Sequence, residues 1–328
     1  MHGVDTLTLG MDFRGLKQTK SIHELLIQKL KGRYREEYNS VCYSGLFDGY
    51  SYFYIAVHYY LLITLQNSNI KDFTDTEIIK NTIKHIEDYF TIPSEYIPKT
   101  ALNRMEYMNN YRLKKPEQRE IIIDICEIAI DQIFTYVKKI HEDRFINYES
   151  ESNKVVSIIV YDKAGELLRK GDIKGAMMYK NIIRTEVKIK KRKLSNESPK
   201  RSRELDSYYN EEMGKFYFDF YISKIFFKEP FYRIDKAIEV INNAEFKRPT
   251  MKEKLIKLLE DILKNGYTQA MREYGGEAKF RRHIKRIRDL GINPLTFSSK
   301  YETEIMDNFT LLENGVSDED LRLRSSNI

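Results

Sequence analysis

The hydrophobic pattern of the chain changes near Lys191. Before this residue, short segments of alternating apolar and polar side chains are interspersed with longer segments of helical period. After it, nearly every segment has the period of an amphipathic helix. A strand-rich part followed by a helical part predicts an α+β fold, in which helices pack on a mostly antiparallel sheet and a helical C-terminal module follows.

The first part of the chain is expected to supply the sheet and the helices that cover it. Strands are predicted at 4–13, 101–112, 155–161 and 181–190, with a hairpin in the aromatic segment 41–66. Helices are predicted at 21–34, 74–89 and 116–139, the last with Pro116 in its first turn. A short connection with three glycines separates the last two strands.

The second part begins with a polar, basic segment at 192–203 that contains Pro199 and is predicted to be a loop. Helices are then predicted at 204–227, 233–242, 251–264, 268–274 and 279–290. A domain boundary is placed near residue 245, which divides the chain into 1–245 and 246–328. The final three helices, closed by Gly291, are similar to a small helix-turn-helix module.

Composition fits a globular protein with ordinary cores. The chain has 328 residues, of which 41% are hydrophobic, and it has no apolar run of the roughly 20 residues that a membrane-spanning helix needs. The N-terminus has no basic leader before an apolar stretch, so a cytosolic location is expected. Cys42 and Cys126 lie far apart and in no metal-binding spacing, and both are predicted to be small core residues.

Positive charge is concentrated in two segments. Nine basic and two acidic residues lie between Arg184 and Arg203, and eleven basic and six acidic residues lie between Lys252 and Asp289. The net charge of the whole chain is only +6, so the rest of it is acidic. Two basic segments on an otherwise acidic protein favour binding to nucleic acid, although solvated charged faces would give the same composition.

Three carboxylates interrupt predicted strands, where a charge costs free energy unless it is solvated, paired or bound to a metal. They are Glu106, Asp162 and Glu186. Hard oxygen ligands of this kind suit Mg²⁺ or Mn²⁺. The alternative is that Arg104, Lys163 and Arg184, which are close to them in sequence, form ordinary salt bridges with these carboxylates. No phosphate-binding or dinucleotide-binding glycine motif is present, so neither ATP hydrolysis nor dinucleotide binding is supported.

A tyrosine precedes a lysine by four residues at the predicted start of a helix. Tyr232 and Lys236 would then share one helical face, where the ammonium could stabilise a phenolate. A phenolate of this kind can act as a nucleophile. Tyr208 and Tyr209, a pair in the preceding predicted helix, are the alternative nucleophiles.

The order of these segments resembles that of the rolling-circle replication initiators of plasmids and phages, which have an HUH-endonuclease-like fold. The segments are Val4-Asp5-Thr6-Leu7, Arg104-Met105-Glu106, Tyr161-Asp162-Lys163, Arg184-Thr185-Glu186 and Phe231-Tyr232 with Lys236, and Leu290-Gly291-Ile292-Asn293-Pro294 is similar to related phage-encoded initiators. The resemblance covers residues 4 to about 240. It departs at Met105-Glu106, where the family often has Ile-Asp, and at Glu229-Pro230, where Gly-Asp is expected.

The resemblance implies metal-dependent, site-specific nicking and religation of one DNA strand at an origin. A tyrosine, here Tyr232 supported by Lys236, would remain linked to the 5′ phosphate, and the free 3′ hydroxyl would prime synthesis. Glu186, Glu106 and, more weakly, Asp162 would hold Mg²⁺ or Mn²⁺. Residues 1–245 would then be the nicking and origin-binding domain, and 246–328 a DNA-binding or interaction module.

The resemblance also implies partners: double-stranded origin DNA, an extruded single-stranded hairpin, a host helicase and a second copy of the chain, in the cytoplasm of a bacterial host. We expect the DNA contacts to come from two groups of cations. The first is Lys188, Lys190, Lys191, Arg192 and Lys193, and the second is Arg281, Arg282, Lys285, Arg286 and Arg288 on the last basic helix.

Two other functions remain open at this point. The first is a sequence-specific DNA-binding regulator without catalysis, in which the C-terminal helices bind an operator. The second is a metal nuclease that uses water as its nucleophile and forms no covalent adduct.

Overall fold

The computed structural model describes residues 3–12, 33–35, 39–47, 50–57, 100–129, 136–140, 145–149, 155–197, 204 and 207–316. In the ranges up to residue 57, and in 136–140 and 145–149, it describes the backbone alone. The chain forms two compact units. Unit 1 contains Asn109–Val187 and Phe218–Ile328, and unit 2 contains His2–Met108 and Lys188–Tyr217. Helices and antiparallel strands both occur, so the fold is α+β.

The strands are β1 (Gly3–Asp12), β2 (Arg33–Arg35), β3 (Asn39–Phe47), β4 (Tyr50–Val57), β5 (Thr100–Arg112), β6 (Tyr136–Ile140), β7 (Phe145–Glu149), β8 (Val156–Asp162), β9 (Ile182–Lys190), β10 (Phe231–Tyr232) and β11 (Ile305–Met306). The helices are α1 (Gln118–Ile128), α2 (Lys163–Arg169), α3 (Ile173–Met178), α4 (Lys191–Glu197), α5 (Glu211–Phe226), α6 (Ile234–Asn243), α7 (Thr250–Asn265), α8 (Tyr267–Glu273) and α9 (Glu277–Asp289).

Unit 2 is built on a sheet with the strand order β2-β3-β4-β1-β5. All neighbours in this sheet run antiparallel, and Leu7 of β1 pairs with Val57 on one side and with Met105 on the other. The predicted strands at 4–13 and 101–112 and the hairpin within 41–66 are confirmed. The predicted helix at 21–34 is wrong at its end, where Arg33 and Tyr34 lie in β2, and the helix at 74–89 lies outside the described residues.

In unit 1 the order is the end of β5, then β9, β8, β7 and β6. The strands β8, β7 and β6 are successive antiparallel neighbours. Nearly every side chain of β8 and β9 is buried, so these strands have covered side chains on both faces. The predicted strands at 155–161 and 181–190 are confirmed.

One further helix prediction for the first part of the chain is wrong. The helix predicted at 116–139 ends at Ile128. From Tyr136 onward the chain forms β6, which pairs with β7. The β-branched and aromatic residues of β6 favour a strand. The glycine-containing connection between β8 and β9 forms the two short helices α2 and α3. The N-cap side chains of Asp162 and Asp172 accept hydrogen bonds from the backbone N–H groups of Gly165 and Gly175, and a Cβ at Gly175 would clash with the Asp172 side chain.

The helical part of the chain agrees with the predicted periodicity. The helices α6 to α9 begin and end within two residues of their predicted positions. The helix predicted at 204–227 begins only at Glu211, as α5, so Tyr208 and Tyr209 precede this helix and do not lie in it, contrary to the prediction. The segment predicted as a loop at 192–203 begins as α4. The helix α7 packs against α1 and α6 and buries a stripe of four residues at helical spacing: Leu255, Leu258, Leu259 and Ile262.

Two buried asparagines fix the segment that leads into β10. The side-chain amide of Asn293 donates to the carbonyls of Phe226 and Glu229, both at 2.8 Å. The amide of Asn308 donates to the carbonyls of Phe227 (3.4 Å) and Glu229 (3.2 Å). A buried carbonyl without a donor is costly, so these bonds hold residues 226–229 in one conformation.

The domain boundary near residue 245 stays a prediction, and described residues on both sides of it belong to unit 1. Cys126 is a buried free thiol, as predicted, and the side chain of Cys42 lies outside the description. Within the described ranges, no helix is both long enough and apolar enough to cross a membrane.

Candidate active site

A buried carboxylate on β9 is bound by a phenol from β8. Glu186 is 3% exposed and Tyr161 is 4% exposed, and the Tyr161 hydroxyl donates to Oε1 of Glu186 at 2.5 Å. A hydrogen bond to an ionised oxygen is short and strong. The bond therefore fixes the orientation of Glu186, the predicted metal ligand that β9 contributes to unit 1.

Lys163 extends this pair to a network of four side chains. Its ammonium donates to the Tyr161 oxygen at 3.5 Å and to Oε2 of Glu166 at 2.7 Å, and it lies 5.5 Å from the centre of the Tyr161 ring. Burial works against ionisation of Glu166, but Lys163 and Lys170 outweigh it and lower the pKa of that carboxyl. Direct contacts thus link four groups in a row: the Glu186 carboxylate, the Tyr161 phenol, the Lys163 ammonium and the Glu166 carboxylate.

Arg184 lies two residues before Glu186 and, because side chains alternate along a strand, on the same face of β9. It is fully buried, its Nε donates to Oδ1 of Asn110 at 2.8 Å, and its guanidinium lies 5.2 Å from the centre of the Tyr179 ring. A buried cation beside a buried carboxylate makes this face of β9 strongly polar inside an apolar core.

The predicted salt bridge between Lys163 and Asp162 is wrong, and that between Arg184 and Glu186 stays a prediction. The described contacts of Lys163 are with Glu166 and Tyr161. Tyr161 was not among the candidate residues because sequence reasoning selected only the aspartate of Tyr161-Asp162-Lys163. The triplet itself was a signal, since it places a hydroxyl next to two charged residues at the end of a buried strand.

The network has the parts that proton transfer from a phenol needs. A carboxylate within hydrogen-bond distance of a hydroxyl can accept its proton, and a nearby ammonium stabilises the negative charge left on oxygen. The same carboxylate oxygens are hard ligands of the kind that Mg²⁺ and Mn²⁺ prefer.

The other two predicted metal ligands are paired with cations. In unit 2, Glu106 is 1% exposed and forms ion pairs with Arg104 and with Lys188 at 3.2 Å. In unit 1, Asp162 forms an ion pair with Arg119 at 2.9 Å and caps α2. For Glu106, the structure therefore has the alternative expected from the sequence, a salt bridge with Arg104.

No group of three or more His, Cys, Asp or Glu side chains among the described residues could hold a metal ion. The described residues therefore do not form a complete protein cage for a cation. Mg²⁺ is commonly held by one or two carboxylates together with substrate phosphates and water, and Glu186 fits that more open arrangement. The three-ligand metal site stays a prediction.

Tyr232 does not lie at the start of a helix. It is the second residue of β10 and pairs with Ile305 of β11, and its carbonyl accepts a hydrogen bond from the Phe297 N–H at 3.1 Å. The helix α6 begins two residues later, so Tyr232 and Lys236 do not share a helical face, contrary to the prediction. The side chain of Tyr232 is half-buried.

Lys236 is occupied by carboxylates. Its ammonium lies 3.1 Å from Oε2 of Glu239 and 3.5 Å from Oε1 of Glu304. The hydrogen bond to Glu239, and then the charges of both acids, raise the pKa of Lys236. Within the described residues, this cation therefore pairs with acids rather than with the Tyr232 phenol.

The alternative nucleophiles are part of a core. Tyr208 is fully buried and Tyr209 is 3% exposed. The ring of Tyr208 stacks on Tyr217 with 6.3 Å between centroids, and its backbone carbonyl accepts a hydrogen bond from the Tyr107 hydroxyl at 2.6 Å. Both positions thus have a clear packing role in unit 2.

The first group of predicted DNA-binding cations spans the end of β9 and the start of α4. Arg192 is exposed, Lys190 and Lys193 are partly exposed, and Lys188 is directed to Glu106. Lys191 is the first residue of α4, and its side chain lies outside the description.

The second group, on α9, divides into two sets. Arg288 binds Glu229 at 3.0 Å and lies over the Phe227 ring, and Arg286 is partly buried beside the Met251 sulfur. Arg281, Arg282 and Lys285 are exposed, and Arg281 and Lys285 form surface pairs with Glu277 and Asp289. Exposed pairs of this kind contribute little, roughly 0.2–1 kcal/mol, so a phosphate can replace the acid.

The buried face of α9 contains a histidine whose titration should affect stability. Burial, and then the cations Arg286, Lys279, Lys254 and Arg282, lower the pKa of His283 below its ordinary value of 6.5. The unfolded chain therefore binds this proton more readily, so the free energy of unfolding falls as the pH drops below about 6.5.

We expect the thermal midpoint of unit 1 to fall between about pH 7.5 and about pH 5.5, and the contribution of His283 to be a few degrees at most. His283→Gln should reduce the pH dependence in this window, and Tyr274→Phe, which removes the hydroxyl that contacts the ring, serves as the control. An unchanged pH profile in His283→Gln would show that other groups cause it.

The comparisons with known proteins give little beyond this geometry. No protein-family model and no curated protein matches the chain. A solved structure to which the chain is similar is described as a rolling circle replication initiator protein from Geobacillus stearothermophilus. That likeness has a TM-score of 0.30 and 11% identity, and it covers 58% of this chain and 74% of that chain. A TM-score this low does not establish a shared fold, so membership of a family does not follow from it.

Proposed function

We propose that the protein initiates rolling-circle DNA replication by nicking and religating one strand at an origin, through a 5′-phosphotyrosyl intermediate. The hydrogen bond from Tyr161 to the buried carboxylate of Glu186 carries this proposal. It joins two of the sequence segments that resemble replication initiators, Tyr161-Asp162-Lys163 and Arg184-Thr185-Glu186, in one polar site.

In the proposed reaction a tyrosine oxygen attacks the phosphorus of a DNA phosphodiester. The new O–P bond forms as the bond from phosphorus to the 3′ oxygen breaks, the phenol proton passes to a carboxylate, and the 3′ oxygen gains a proton. Attack by a 3′ hydroxyl on the phosphotyrosine reverses these steps and reseals the strand. No external energy source is needed because one phosphodiester replaces another.

Tyr232 is the proposed nucleophile. Its half-buried side chain is more accessible to a DNA strand than the buried Tyr208 and Tyr209, and backbone hydrogen bonds on β10 hold it on a rigid support. Tyr161, which is 4% exposed, is proposed to orient Glu186, and Tyr208 and Tyr209 remain the alternative nucleophiles. Lys236 remains only a predicted support for Tyr232, and the proposal does not depend on it because its ammonium pairs with Glu239 and Glu304.

Glu186 is proposed to accept the phenol proton or to bind a divalent cation. A bound Mg²⁺ or Mn²⁺ would neutralise the charge that develops on the phosphate oxygens. Glu106 and Asp162 remain predicted ligands, and the proposal does not depend on them.

The proposed partners are double-stranded origin DNA and a single-stranded hairpin, with a host helicase and a second copy of the chain as further expectations. The cations of α9 are proposed to contact the duplex. Each phosphate that a cation neutralises adds roughly 0.9 to the slope of log K against log salt concentration for duplex DNA.

We expect the combined change Arg281→Gln, Arg282→Gln and Lys285→Gln to weaken duplex binding and to reduce this slope by up to about 3. Fluorescence anisotropy over a salt series measures both quantities. Lys257→Gln, which removes an exposed cation from α7, is the matched control. An unchanged slope in the triple variant would exclude α9 from the DNA interface.

One experiment tests the proposed function as a whole. The full chain is incubated with Mn²⁺ and short labelled single strands taken from next to its own gene, and a covalent band is sought on a denaturing gel. A shifted band supports the proposal. Cleavage without a band would favour a nuclease that uses water, and duplex binding without cleavage would favour a non-catalytic regulator.

A further inference from the structure

The two short helices between β8 and β9 form a hairpin with two apolar faces. The helices α2 and α3 pack against each other, and the inner face of this α2–α3 hairpin buries Leu167, Ala176 and the adjoining Tyr179. The outer face presents Leu168, Ile173 and Met177, which are 56%, 62% and 73% exposed. The inner face already supplies the buried apolar contacts of the hairpin. Folding of the hairpin therefore does not explain why the apolar side chains on its outer face are exposed.

This outer face carries the largest set of its kind in the described part of the chain. Three of the six large apolar side chains that are exposed there lie within ten residues of one another on this hairpin. A contiguous exposed apolar set in a protein commonly marks an interaction site.

Positive charge surrounds the apolar set. Five basic and two acidic residues lie between Lys163 and Asn181, a net charge of +3. Arg169, Lys170, Lys174 and Lys180 are exposed, and Lys170 pairs with Glu166 at the base of the hairpin. Cations around an apolar centre are complementary to a nucleic acid, which has phosphates outside and apolar base faces inside.

The hairpin is also rigid. Gly171 turns the chain between the helices with a φ of +80°, which favours glycine, and the Asp172 side chain accepts a hydrogen bond from the Gly175 N–H at 2.7 Å. At the base, Asp162 caps α2 and is bound by Arg119. A rigid apolar projection can enter a base stack without first paying the entropy of ordering itself.

Its position is close to the candidate active site along the chain. The hairpin begins directly after Tyr161 and Asp162, and three residues separate its end at Met178 from Ile182, the first residue of the strand that bears Glu186.

We propose that the outer face of the α2–α3 hairpin inserts into DNA at a junction between duplex and single strand and keeps the bases there unstacked. This inference rests on the proposed function, since it supplies the single-stranded DNA on which nicking would act. The cations hold the phosphates on either side, and Leu168, Ile173 and Met177 contact the exposed base faces, as apolar wedges do in other DNA-binding proteins.

The test uses the full chain and a synthetic forked DNA with 2-aminopurine at the branch point, in EDTA so that no cleavage occurs. Unstacking of the 2-aminopurine raises its fluorescence. We expect a rise when the parent protein saturates the fork, and loss of most of that rise in the combined variant Leu168→Ser, Ile173→Ser and Met177→Ser. Circular dichroism and the thermal midpoint verify that this variant, altered only at exposed positions, is folded.

Phe216→Ser is the matched control because it removes an exposed apolar side chain, 52% exposed, from a different helix. It should retain the full rise. Lys174→Gln should weaken fork binding and lower its salt dependence while retaining the rise at saturation, because it removes a phosphate contact and leaves the wedge.

Two outcomes would overturn the inference: no rise with the parent protein at saturation, or an equal rise with the triple serine variant. Loss of binding to vesicles of anionic phospholipid in that variant, with the fork signal intact, would assign the face to a membrane surface instead. The covalent-adduct assay is done separately with Mn²⁺ and linear single strands, so failure of nicking and failure of the wedge give different results.

Discussion

Tyr232→Phe is expected to abolish the covalent protein–DNA adduct, whereas Tyr161→Phe is expected to slow its formation and leave it detectable. Phenylalanine keeps the ring and removes only the oxygen that would attack phosphorus. Loss of a nucleophile lowers a rate by several orders of magnitude, on the order of 10³-fold or more. The measurement is the amount of shifted band on a denaturing gel with Mn²⁺ and a labelled strand that the parent protein cleaves.

Tyr209→Phe is the control for this comparison, because Tyr209 is buried in unit 2 and should retain the adduct. The reverse pattern, with the adduct lost in Tyr161→Phe and kept in Tyr232→Phe, would assign the nucleophile to Tyr161. An adduct that survives both changes and disappears in Tyr208→Phe or Tyr209→Phe would move the site to that pair.

The second large effect is expected for Glu186→Gln. Glutamine has nearly the same shape and can still accept the Tyr161 hydrogen bond, so the fold should be retained, but it can neither accept a proton nor bind a divalent cation well. Removal of a general base lowers rates by about 10²- to 10⁴-fold, and we expect single-turnover adduct formation to fall within this range. Binding of the uncleaved strand should remain.

Asp124→Asn is the matched control, because Asp124 is also an acid of unit 1, and it binds Tyr301 and Lys300 away from the Glu186 network. Its adduct formation should stay close to that of the parent protein. Full adduct formation by Glu186→Gln would show that this carboxylate takes no part in the mechanism. A Glu186→Gln variant that is inactive because it is unfolded would instead give the carboxylate a structural role.

The strands that bear the candidate site could be predicted because their local patterns are strong. In β8 and β9, runs of isoleucine and valine have few competing interpretations, and a glutamate within such a run at Glu186 stands out as a charge that needs a partner. The helices α6, α7 and α9 were predictable for the same reason, since their apolar stripes and ends are local features.

The partner of Glu186 could not be predicted, because it depends on which residues of neighbouring strands lie opposite one another. Tyr161 is 25 residues away in sequence, and no local pattern specifies that its hydroxyl reaches this carboxylate. The end of the helix predicted at 116–139 could not be predicted for a similar reason. The segment from Tyr136 to Ile140 is a strand because it pairs with β7, and the helical period of the residues before it gives no sign of this pairing.

Tyr232 illustrates the same limit at shorter range. Its four-residue spacing to Lys236 fits a helix, yet backbone hydrogen bonds from Phe297 and pairing with Ile305 hold it in a strand. Both partners come from more than sixty residues further along the chain, so tertiary contacts outweighed local spacing.

These distant partners bear on how a protein of this kind can evolve. The strand that holds Tyr232 is completed by residues 297–306, and the carbonyls that lead into it are bound by Asn293 and Asn308. A C-terminal segment exchanged by recombination near residue 245 would have to bring along a matching strand and both asparagines. Under the proposed function, target choice and strand cleavage would then be inherited together rather than exchanged separately.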